Sequence, residues 1–455
     1  MGIKGLLIFL RAMNEDIVQE FNLSLLEGQK LAVDIPILAY QKKSEYIRKT
    51  AKRLDLATEE VNVVGATIYM AVRILHVMES ILVAGVIPVA VFDGRPPSLK
   101  DGTKGERSAK SIKKKNNIRE LKRILRGLLG LDAVNNIVPG EPPQPYAMNE
   151  DDLKFLKSFG KPINNIHSIR ELLLNEVNQA VSVAQTDYLL LAAIFTALGI
   201  PQIQAQSEAE QTCAQMCRHR DVAAIFTTDS DCLVYGCPIM INKISYAPMA
   251  RIKAPPTVQC YSFVNVLKVA DLTNQQFMDF CYMLGTDFNK NVPGYGPKFT
   301  YELIKHYGSV RNIIKARKEL HKRGLNRVDY MPRGNMGIDS LTKIEKLCYD
   351  YDVNVENYEA VMNFFTTPVT YNKANLELKI VEGQFEIGFD QLVKSIGIDA
   401  VSAVTDIGKS ICGYLLRIKK AADKKVEKAI LTQEKARIKK EKQEQKNKQK
   451  KLASE

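Results

Sequence analysis

Three short apolar runs of this 455-residue sequence end in carboxylates. The runs are residues 29–34, 85–94 and 222–231, and the carboxylates at their ends are Asp34, Asp93, Asp229 and Asp231. Such runs are typical of buried strands, and helical stretches such as 64–83 separate them. This alternation predicts an α/β fold with a doubly wound, mostly parallel sheet. Because ligands bind at the carboxyl ends of such strands, we expect these side chains to meet at one edge.

Three more acids extend the set to seven, although each has an ordinary structural explanation when it stands alone. Residues 207–210 have the pattern of a capping box, with Ser207 as the N-cap and Glu210 at the third helical position. Glu208 lies between them, and Asp287 follows an apolar helical run. Glu210 could bind a ligand only if it gave up its capping role.

The combination of acids favours a metal site. Carboxylates gathered at one sheet edge repel one another, and some would take up protons unless cations offset their charge. Oxygen ligands without Cys or His suit Mg²⁺ or Mn²⁺ rather than zinc. Two such ions about 4 Å apart are a common means of hydrolysing a phosphodiester by in-line attack. The predicted ligands are Asp34, Asp93, Glu208, Glu210, Asp229, Asp231 and Asp287.

A glycine-bearing turn at residues 294–298 suits a phosphate ligand. Gly294 and Gly296 let the backbone come close to a phosphate, and the helix that follows offers free N–H groups. Lys298 adds a positive charge. An ordinary helix–turn–helix joint is the alternative interpretation of this segment.

Basic residues are concentrated in two blocks. Residues 95–126 hold 12 Lys or Arg against 3 acids, and residues 417–455 hold 15 against 6, within a net charge of +13. Two basic blocks around an acid-rich body indicate a polyanionic partner. Lys100 and Arg107 would share a helical face and could offset charge on a phosphate. A solvated helix face and a solubilising tail are the alternatives.

Composition argues against several classes of protein. No run of 18 apolar residues occurs, so no membrane span is expected, and the N-terminus lacks the regions of a signal peptide. The eight cysteines are scattered without a Cys-x-x-Cys motif, which favours buried free thiols in a reducing compartment. We therefore expect a soluble, intracellular protein.

Together these motifs resemble those of the flap endonuclease / XPG family of structure-specific 5′ nucleases. The matching segments are residues 1–6, 32–34, 91–94, 207–210, 228–233, 284–288 and 294–298. The resemblance covers about residues 1–320. It implies a PIN-like fold with a helical arch and a helix–two-turn–helix segment. It also implies DNA hydrolysis near 5′ flaps or ends by two Mg²⁺ ions, which Mn²⁺ can replace, in replication, repair or recombination.

The resemblance assigns roles to individual residues. The ligands of the first metal correspond to Asp34, Asp93, Glu208 and Glu210, and those of the second to Asp229, Asp231 and Asp287. The catalytic Lys and Arg at the base of the arch correspond to Lys100 and Arg107, which act with the metal-binding Asp34, Asp93 and Asp229. DNA contacts correspond to Gly2, Arg73 and Tyr40, which would stack on the base beside the cut, and to Gly294, Gly296 and Lys298.

The family's pattern also suggests how the chain is organised. We expect an N-terminal nuclease region at 1–126, an arch or cap extension at 127–199, and an internal nuclease region at 200–370. Within the last, the helix–two-turn–helix spans about 271–320. A C-terminal extension at 371–416 and a basic tail at 417–455 follow. Residues 132–163 are rich in Pro, Gly and Asn and predict a loop.

Departures from the family leave the substrate and partners open. Asn291 and Pro293 stand where Ser and a basic residue are common, so the K⁺ that the resemblance implies at this turn is in question. Residues 363–365 lack a proper sliding-clamp motif and are interpreted as core. The alternatives are a 5′ exonuclease, a junction-resolving enzyme or an inactive DNA-binding scaffold. We expect a monomer that binds flap, nicked or branched DNA, in the nucleus or at a viral cytoplasmic replication site.

Overall fold

The structure is a computed structural model that describes residues 2–131, 146–160, 163, 165–245, 256–322 and 342–377, with the single positions 409, 413 and 424. Most of the predicted C-terminal extension and basic tail therefore lies outside the described residues, as does the Pro-rich part of the predicted loop at 139–145.

A seven-stranded mixed sheet forms the centre of the fold, in the order β1-β7-β6-β5-β2-β3-β4. The strands are β1 (Val18–Asn22), β2 (Lys30–Asp34), β3 (Ile87–Phe92), β4 (Gln202–Gln204), β5 (Ala224–Phe226), β6 (Ile239–Ser245) and β7 (Thr257–Ser262). The strands from β6 to β4 in this order are parallel, whereas β7 is antiparallel to β6 and β1. The predicted α/β class with a mostly parallel sheet is confirmed.

Helices connect the strands. They are α1 (Leu6–Met13), α2 (Ile35–Ala51), α3 (Val63–Val83), α4 (Asp101–Leu128), α5 (Glu150–Lys157), α6 (Ile166–Gln179), α7 (Gln185–Leu198), α8 (Ala209–Arg218), α9 (Asp231–Val234), α10 (Phe263–Ala270), α11 (Asn274–Leu284), α12 (Pro297–Tyr307), α13 (Val310–Lys322), α14 (Lys343–Asp350) and α15 (Val355–Thr366). The last of these contains Phe365, which is 4% exposed and belongs to the core, and Phe364, which is half-buried against it. The expectation that residues 363–365 are core is therefore confirmed for the two phenylalanines, whereas Asn363 is exposed.

Alternating side chains of each strand enter two different cores. Leu31 and Val33 of β2 pack with α3 and α7, whereas Ala32 between them packs on the opposite face with α8 and α11. This is the period of two that a strand imposes, because successive side chains point to opposite faces. Both faces of the sheet are therefore covered, and its carboxyl edge is left to carry polar groups.

A third apolar cluster lies away from the sheet and holds α4, α5 and α6 together. Leu121 and Leu125 of α4 pack there with Leu156 of α5 and with Leu173 of α6. The prediction of a loop over 132–163 is wrong for α5, where Asn149 forms a capping box with Asp152. A short amphipathic helix next to a Pro-rich stretch gives too few periodic residues to be recognised in sequence.

One helix, α3, is long and apolar enough to cross a membrane when only its length and composition are considered. The sequence criterion of an unbroken run of 18 apolar residues missed this helix, because Arg73, His76 and Glu79 interrupt the run. However, 61% of the most apolar 18-residue stretch of α3 is buried within the described structure, where Met70, Ile74 and Met78 contribute to the core. This is the pattern of a core helix that packs against a sheet.

Candidate active site

Four neighbouring parallel strands end at one edge of the sheet, and each leads into an acidic side chain. Asp34 is the last residue of β2, and Asp93 directly follows β3. Glu208 lies between β4 and α8, and Asp229 follows β5. Since all four strands run in the same direction, their carboxyl ends meet, and the acids meet with them.

A cavity of about 650 Å³ opens at this edge. Five of the seven predicted acids line it, namely Asp93, Glu208, Glu210, Asp229 and Asp287. Asp34 and Asp231 are not among its lining residues. Predicted Lys100, Arg107, Tyr40 and Gly2 also line the cavity. The structure therefore gathers most of the predicted site around one space that is open to solvent.

Asp34 is completely buried and is held by two hydrogen bonds. Its carboxylate accepts one from the Ile37 backbone N–H at 3.3 Å and another from the Thr227 hydroxyl at 2.7 Å. Burial, together with the charges of Asp93 and Asp229, raises the pKa of Asp34 to about 8. The geometry thus holds in place an acid whose ionised form is unfavourable unless a cation is near.

Asp93 fixes the start of the next helix. Its carboxylate accepts a hydrogen bond of 2.9 Å from the backbone N–H of Ala209, the first residue of α8, and burial raises the pKa of Asp93 to about 6. Glu208, rather than Ser207, is the N-cap of α8, so the predicted capping box is wrong. An acid from another strand satisfies the free N–H of this helix. Glu210 therefore needs no capping role, and it lines the cavity.

The loop after β5 is tied to the N-terminal segment. The Asp231 N–H donates to an Asp229 carboxylate oxygen at 3.1 Å, and the Ile3 N–H donates to the Ser230 hydroxyl at 2.9 Å. Gly2 has a φ of +90°, and a Cβ there would meet Asp229 and would lie 2.6 Å from the Ser230 hydroxyl oxygen. Only glycine fits between these groups. Oδ1 of Asp231 is buried and has no hydrogen-bond partner in the described structure.

Two basic side chains reach into the same group of acids. Lys100 forms ion pairs with Glu208 and, at 3.0 Å, with Asp287. Arg107 lies in the first part of α4 and pairs with Asp287 at 2.7 Å. Burial would raise the pKa of Asp287, but Lys100 and Arg107 outweigh it and hold this pKa below its ordinary value. Both basic residues that sequence reasoning selected therefore contact the acids directly.

The acids present a donor set of carboxylates alone, which suits Mg²⁺ or Mn²⁺. The unpartnered buried oxygen of Asp231 and the raised pKa values of Asp34 and Asp93 both fit a site that binds a cation. Within the part of the chain that is described, no three Asp, Glu, His or Cys side chains are close enough to hold an ion as they stand. Lys100 occupies part of this space through its two ion pairs, so the acids would have to converge when an ion binds.

Other residues of the cavity were not selected from the sequence. Lys110, Ser111 and Lys114 of α4 line it on one side, and Tyr188 of α7 lines it as well. The lysines belong to the basic block that was predicted as a whole, but their individual positions follow only from how α4 lies over the sheet edge. Tyr188 carries no sequence signal, since it stands in an apolar helix.

The predicted nucleic-acid contacts fall in three places. Gly2 and Tyr40 line the cavity, whereas Arg73 of α3 is not among the lining residues and lies over the ring of Tyr69 at 6.0 Å. The turn residues Gly294, Gly296 and Lys298 are exposed and form a separate surface at the start of α12.

The turn before α12 has the backbone that its glycines predict. Gly294 has a φ of +87°, and Gly296 is the N-cap of α12. Between them, Tyr295 is buried, and its hydroxyl donates to the Leu347 carbonyl oxygen at 2.8 Å. The buried tyrosine fixes a turn whose glycines and Lys298 face solvent.

Comparison with known sequences identifies the family. Residues 1–114 match the XPG N-terminal domain, and residues 199–287 match the XPG I-region. Flap endonuclease 1 of Homo sapiens is 25% identical over 316 residues, which are 69% of this chain and 69% of that protein. Flap endonuclease 1 of Babesia bovis is 26% identical over 326 residues, which are 70% of this chain but 39% of that protein.

Solved structures share the fold. The catalytic core of Rad2 in complex with a DNA substrate is 18% identical and superposes with a TM-score of 0.53, over 90% of this chain and all of that one. Flap endonuclease-1 from Methanococcus jannaschii is also 18% identical, with a TM-score of 0.50, over 91% of this chain and 99% of that one. With both XPG regions matched in order and the acids gathered at one sheet edge, this chain belongs to the flap endonuclease / XPG family of structure-specific nucleases.

Proposed function

We propose that this chain is a Mg²⁺-dependent 5′ nuclease that hydrolyses DNA phosphodiesters near 5′ flaps or ends. The observation that carries the proposal is the convergence of five acids with Lys100 and Arg107 on one open cavity. Acids in excess of the cations that balance them are costly unless divalent ions bind, and phosphodiester hydrolysis is the chemistry that such ions support.

Two sets of acids would hold the ions. The first set is Asp34, Asp93, Glu208 and Glu210, which come from β2, β3 and the start of α8. The second set is Asp229, Asp231 and Asp287, of which Asp231 offers the unpartnered oxygen. When bound, Mg²⁺ ions in such a site activate water and stabilise charge on the phosphate.

Lys100 and Arg107 would supply the remaining positive charge. Lys100 contacts Glu208 of the first set and Asp287 of the second, and Arg107 contacts Asp287. A scissile phosphate that enters the cavity would accept hydrogen bonds from them, and charge-assisted hydrogen bonds of this kind stabilise a developing negative charge.

DNA would be gripped at the cavity and at the turn before α12. Tyr40 offers a ring beside the acids, Gly2 lines the same cavity, and Arg73 of α3 would add a positive charge outside it. Gly294, Gly296 and Lys298 form an exposed phosphate-binding surface at the N-terminus of α12. Separate contacts to the duplex and to the cleaved strand would select DNA by its shape rather than its sequence.

Substrate choice is tested by comparing a 5′-flap duplex, a blunt duplex and a four-way junction of matched sequence, each with Mg²⁺, Mn²⁺ or EDTA. The proposal predicts cleavage that needs a divalent ion and is fastest on the flap. Fastest cleavage of the blunt duplex or of the junction would assign the exonuclease or junction-resolving activity instead. DNA binding without cleavage in either metal would identify an inactive scaffold.

A further inference from the structure

One aromatic residue that lines the cavity, Tyr188, has no role in the function proposed above. Tyr188 lies near the start of α7 and lines the cavity together with Tyr40 of α2. Its ring packs edge-on against Phe92, the last residue of β3, with 6.5 Å between ring centroids and an interplanar angle of 90°. Phe92 in turn packs on Phe195 at 6.1 Å. The Tyr188 ring is therefore held beside the strand that leads into Asp93.

The start of α7 is anchored by the residue before Tyr188. Asp187 is 3% exposed and forms a buried ion pair with Lys43 of α2. It also accepts hydrogen bonds from the Thr67 hydroxyl at 2.6 Å and from the Ala184 N–H at 2.7 Å. A buried charge with this many partners resists movement, because the loss of any one of them would leave it unsatisfied. Tyr188 is thus presented to the cavity by a fixed backbone.

The hydroxyl of Tyr188 donates a hydrogen bond to no group within the described ranges of the chain. Burial, followed by the charges of Asp93 and Asp34, raises the pKa of this phenol, so it keeps its proton and can act only as a donor toward an anion. A donor on a residue that lines the cavity together with Lys110 and Lys114 suits a phosphate oxygen.

We propose that Tyr188 contacts the substrate, donating a hydrogen bond from its hydroxyl to a non-bridging oxygen of a phosphate in the strand bound in the cavity. This inference rests on the proposed nuclease function and extends it to a residue outside the acids and the arch base. The ring supports the hydroxyl through Phe92, and the hydroxyl fixes the strand relative to Asp93.

The first test removes the hydroxyl and keeps the ring. Tyr188→Phe is expected to slow single-turnover cleavage of a 5′-flap duplex in Mg²⁺ about 10- to 100-fold, the loss typical of one hydrogen bond to a charged group. Duplex affinity should stay at the wild-type value. Tyr46→Phe is the matched control, because Tyr46 lies on α2 outside the lining of the cavity. Thermal unfolding of both variants checks that each is folded.

The second test identifies the atom that is contacted. Single phosphorothioates of defined stereochemistry replace one non-bridging oxygen at a time, at the scissile phosphate and at two phosphates on either side. Sulfur is a poor hydrogen-bond acceptor. At the contacted position it should therefore slow cleavage by the wild type more than it slows cleavage by Tyr188→Phe. The effects of the two changes should then not be additive. Repeating the series in Mn²⁺ separates effects of sulfur on metal binding.

Two results would overturn the inference. If Tyr188→Phe cleaves at the wild-type rate, or if the two effects multiply independently at every phosphate, the residue has only a packing role. A wild-type protein that binds flap DNA but cleaves none of it in Mg²⁺ or Mn²⁺ contradicts the proposed function itself, and the role of Tyr188 falls with it. If the wild type is active and Tyr188→Phe is equally active, only the proposed role of Tyr188 is contradicted, and the proposed nuclease function is not.

Discussion

The Lys100 ammonium lies 3.0 Å from a carboxylate oxygen of Asp287, although the two residues belong to distant segments of the chain. Lys100 also pairs with Glu208, and its side chain is only 12% exposed. One cation therefore links an acid of each proposed metal-binding set. Because burial weakens screening by solvent, this link is stronger than a surface ion pair.

Replacement of Lys100 tests whether this cation acts on the reaction. Lys100→Ala is expected to lower the single-turnover cleavage rate by about 10²–10³-fold, because a donor aimed at developing charge is lost. Lys113→Ala is the matched control, since Lys113 is exposed on α4, which begins directly after Lys100, and does not line the cavity. Equal rates for the two variants, measured at saturating DNA, would remove Lys100 from the chemistry.

The raised pKa of Asp34 predicts how stability without metal depends on pH. This pKa is about 8 in the folded protein against an ordinary 3.8, so the folded state binds the proton more tightly than the unfolded chain. The contribution to stability is full below pH 3.8 and is lost as the pH rises through about 8. Between pH 6 and pH 8 the wild type in EDTA should therefore lose about 2 kcal/mol that Asp34→Asn retains.

Urea unfolding at the two pH values measures this difference. Asn preserves the shape of the side chain: its carbonyl oxygen can accept the hydrogen bond from the Ile37 N–H, and its amide NH₂ can donate to the Thr227 hydroxyl oxygen. Added Mg²⁺ should stabilise the wild type at pH 8 but Asp34→Asn much less, because ligand binding stabilises only the form that binds it. A parallel pH dependence of the two proteins in EDTA would show that Asp34 is ionised without cost.

The narrow space at Gly2 can be tested with a matched pair of glycines. Gly2→Ala places a Cβ against Asp229 and Ser230, whereas a Cβ at Gly28 meets nothing within 4 Å. Both residues have positive φ, so both substitutions carry backbone strain, but only the first disturbs the acids. We expect Gly2→Ala to reduce cleavage at least about tenfold and Gly28→Ala to leave the rate unchanged. Similar rates would mean that the N-terminal segment does not order the site.

The turn before α12 should affect binding and leave the chemical step unchanged. Lys298→Ala is expected to weaken duplex binding at every sequence and to reduce the slope of log Kd against log salt by about one unit, as for one lost phosphate contact. Cleavage at saturating DNA should keep its rate, since Lys298 is exposed and does not line the cavity. An unchanged salt slope would place the duplex elsewhere.

Sequence predicted the sheet edge well because strand ends have a strong local signal. Apolar runs that close with Asp34, Asp93 and Asp229 need only parallel pairing to bring the acids together, and that pairing follows from the intervening helices. The start of α8 was less accessible. The choice between Ser207 and Glu208 as N-cap depends on Asp93, which reaches the helix from a neighbouring strand and leaves no local trace.

The parts that escaped prediction depend on packing between distant segments. The α5 helix is short and is stabilised by Leu156 against α4 and α6, so its formation follows from tertiary contacts. In the sequence, Tyr188 is one more apolar position of α7. Only the fold shows that it lines the same cavity as the acids. Lys100 was selected, but its simultaneous contact with Glu208 and Asp287 could not be inferred from spacing.

The central claim is that the acids at the sheet edge bind the divalent ions that drive hydrolysis of DNA. It is tested most directly by measuring single-turnover cleavage of a 5′-flap duplex in Mg²⁺ with the wild type and with Asp229→Ala. We predict that the wild type cleaves near the base of the flap, and that Asp229→Ala loses at least about 10³-fold in rate while it still binds the DNA. Cleavage by Asp229→Ala at the wild-type rate would contradict the account.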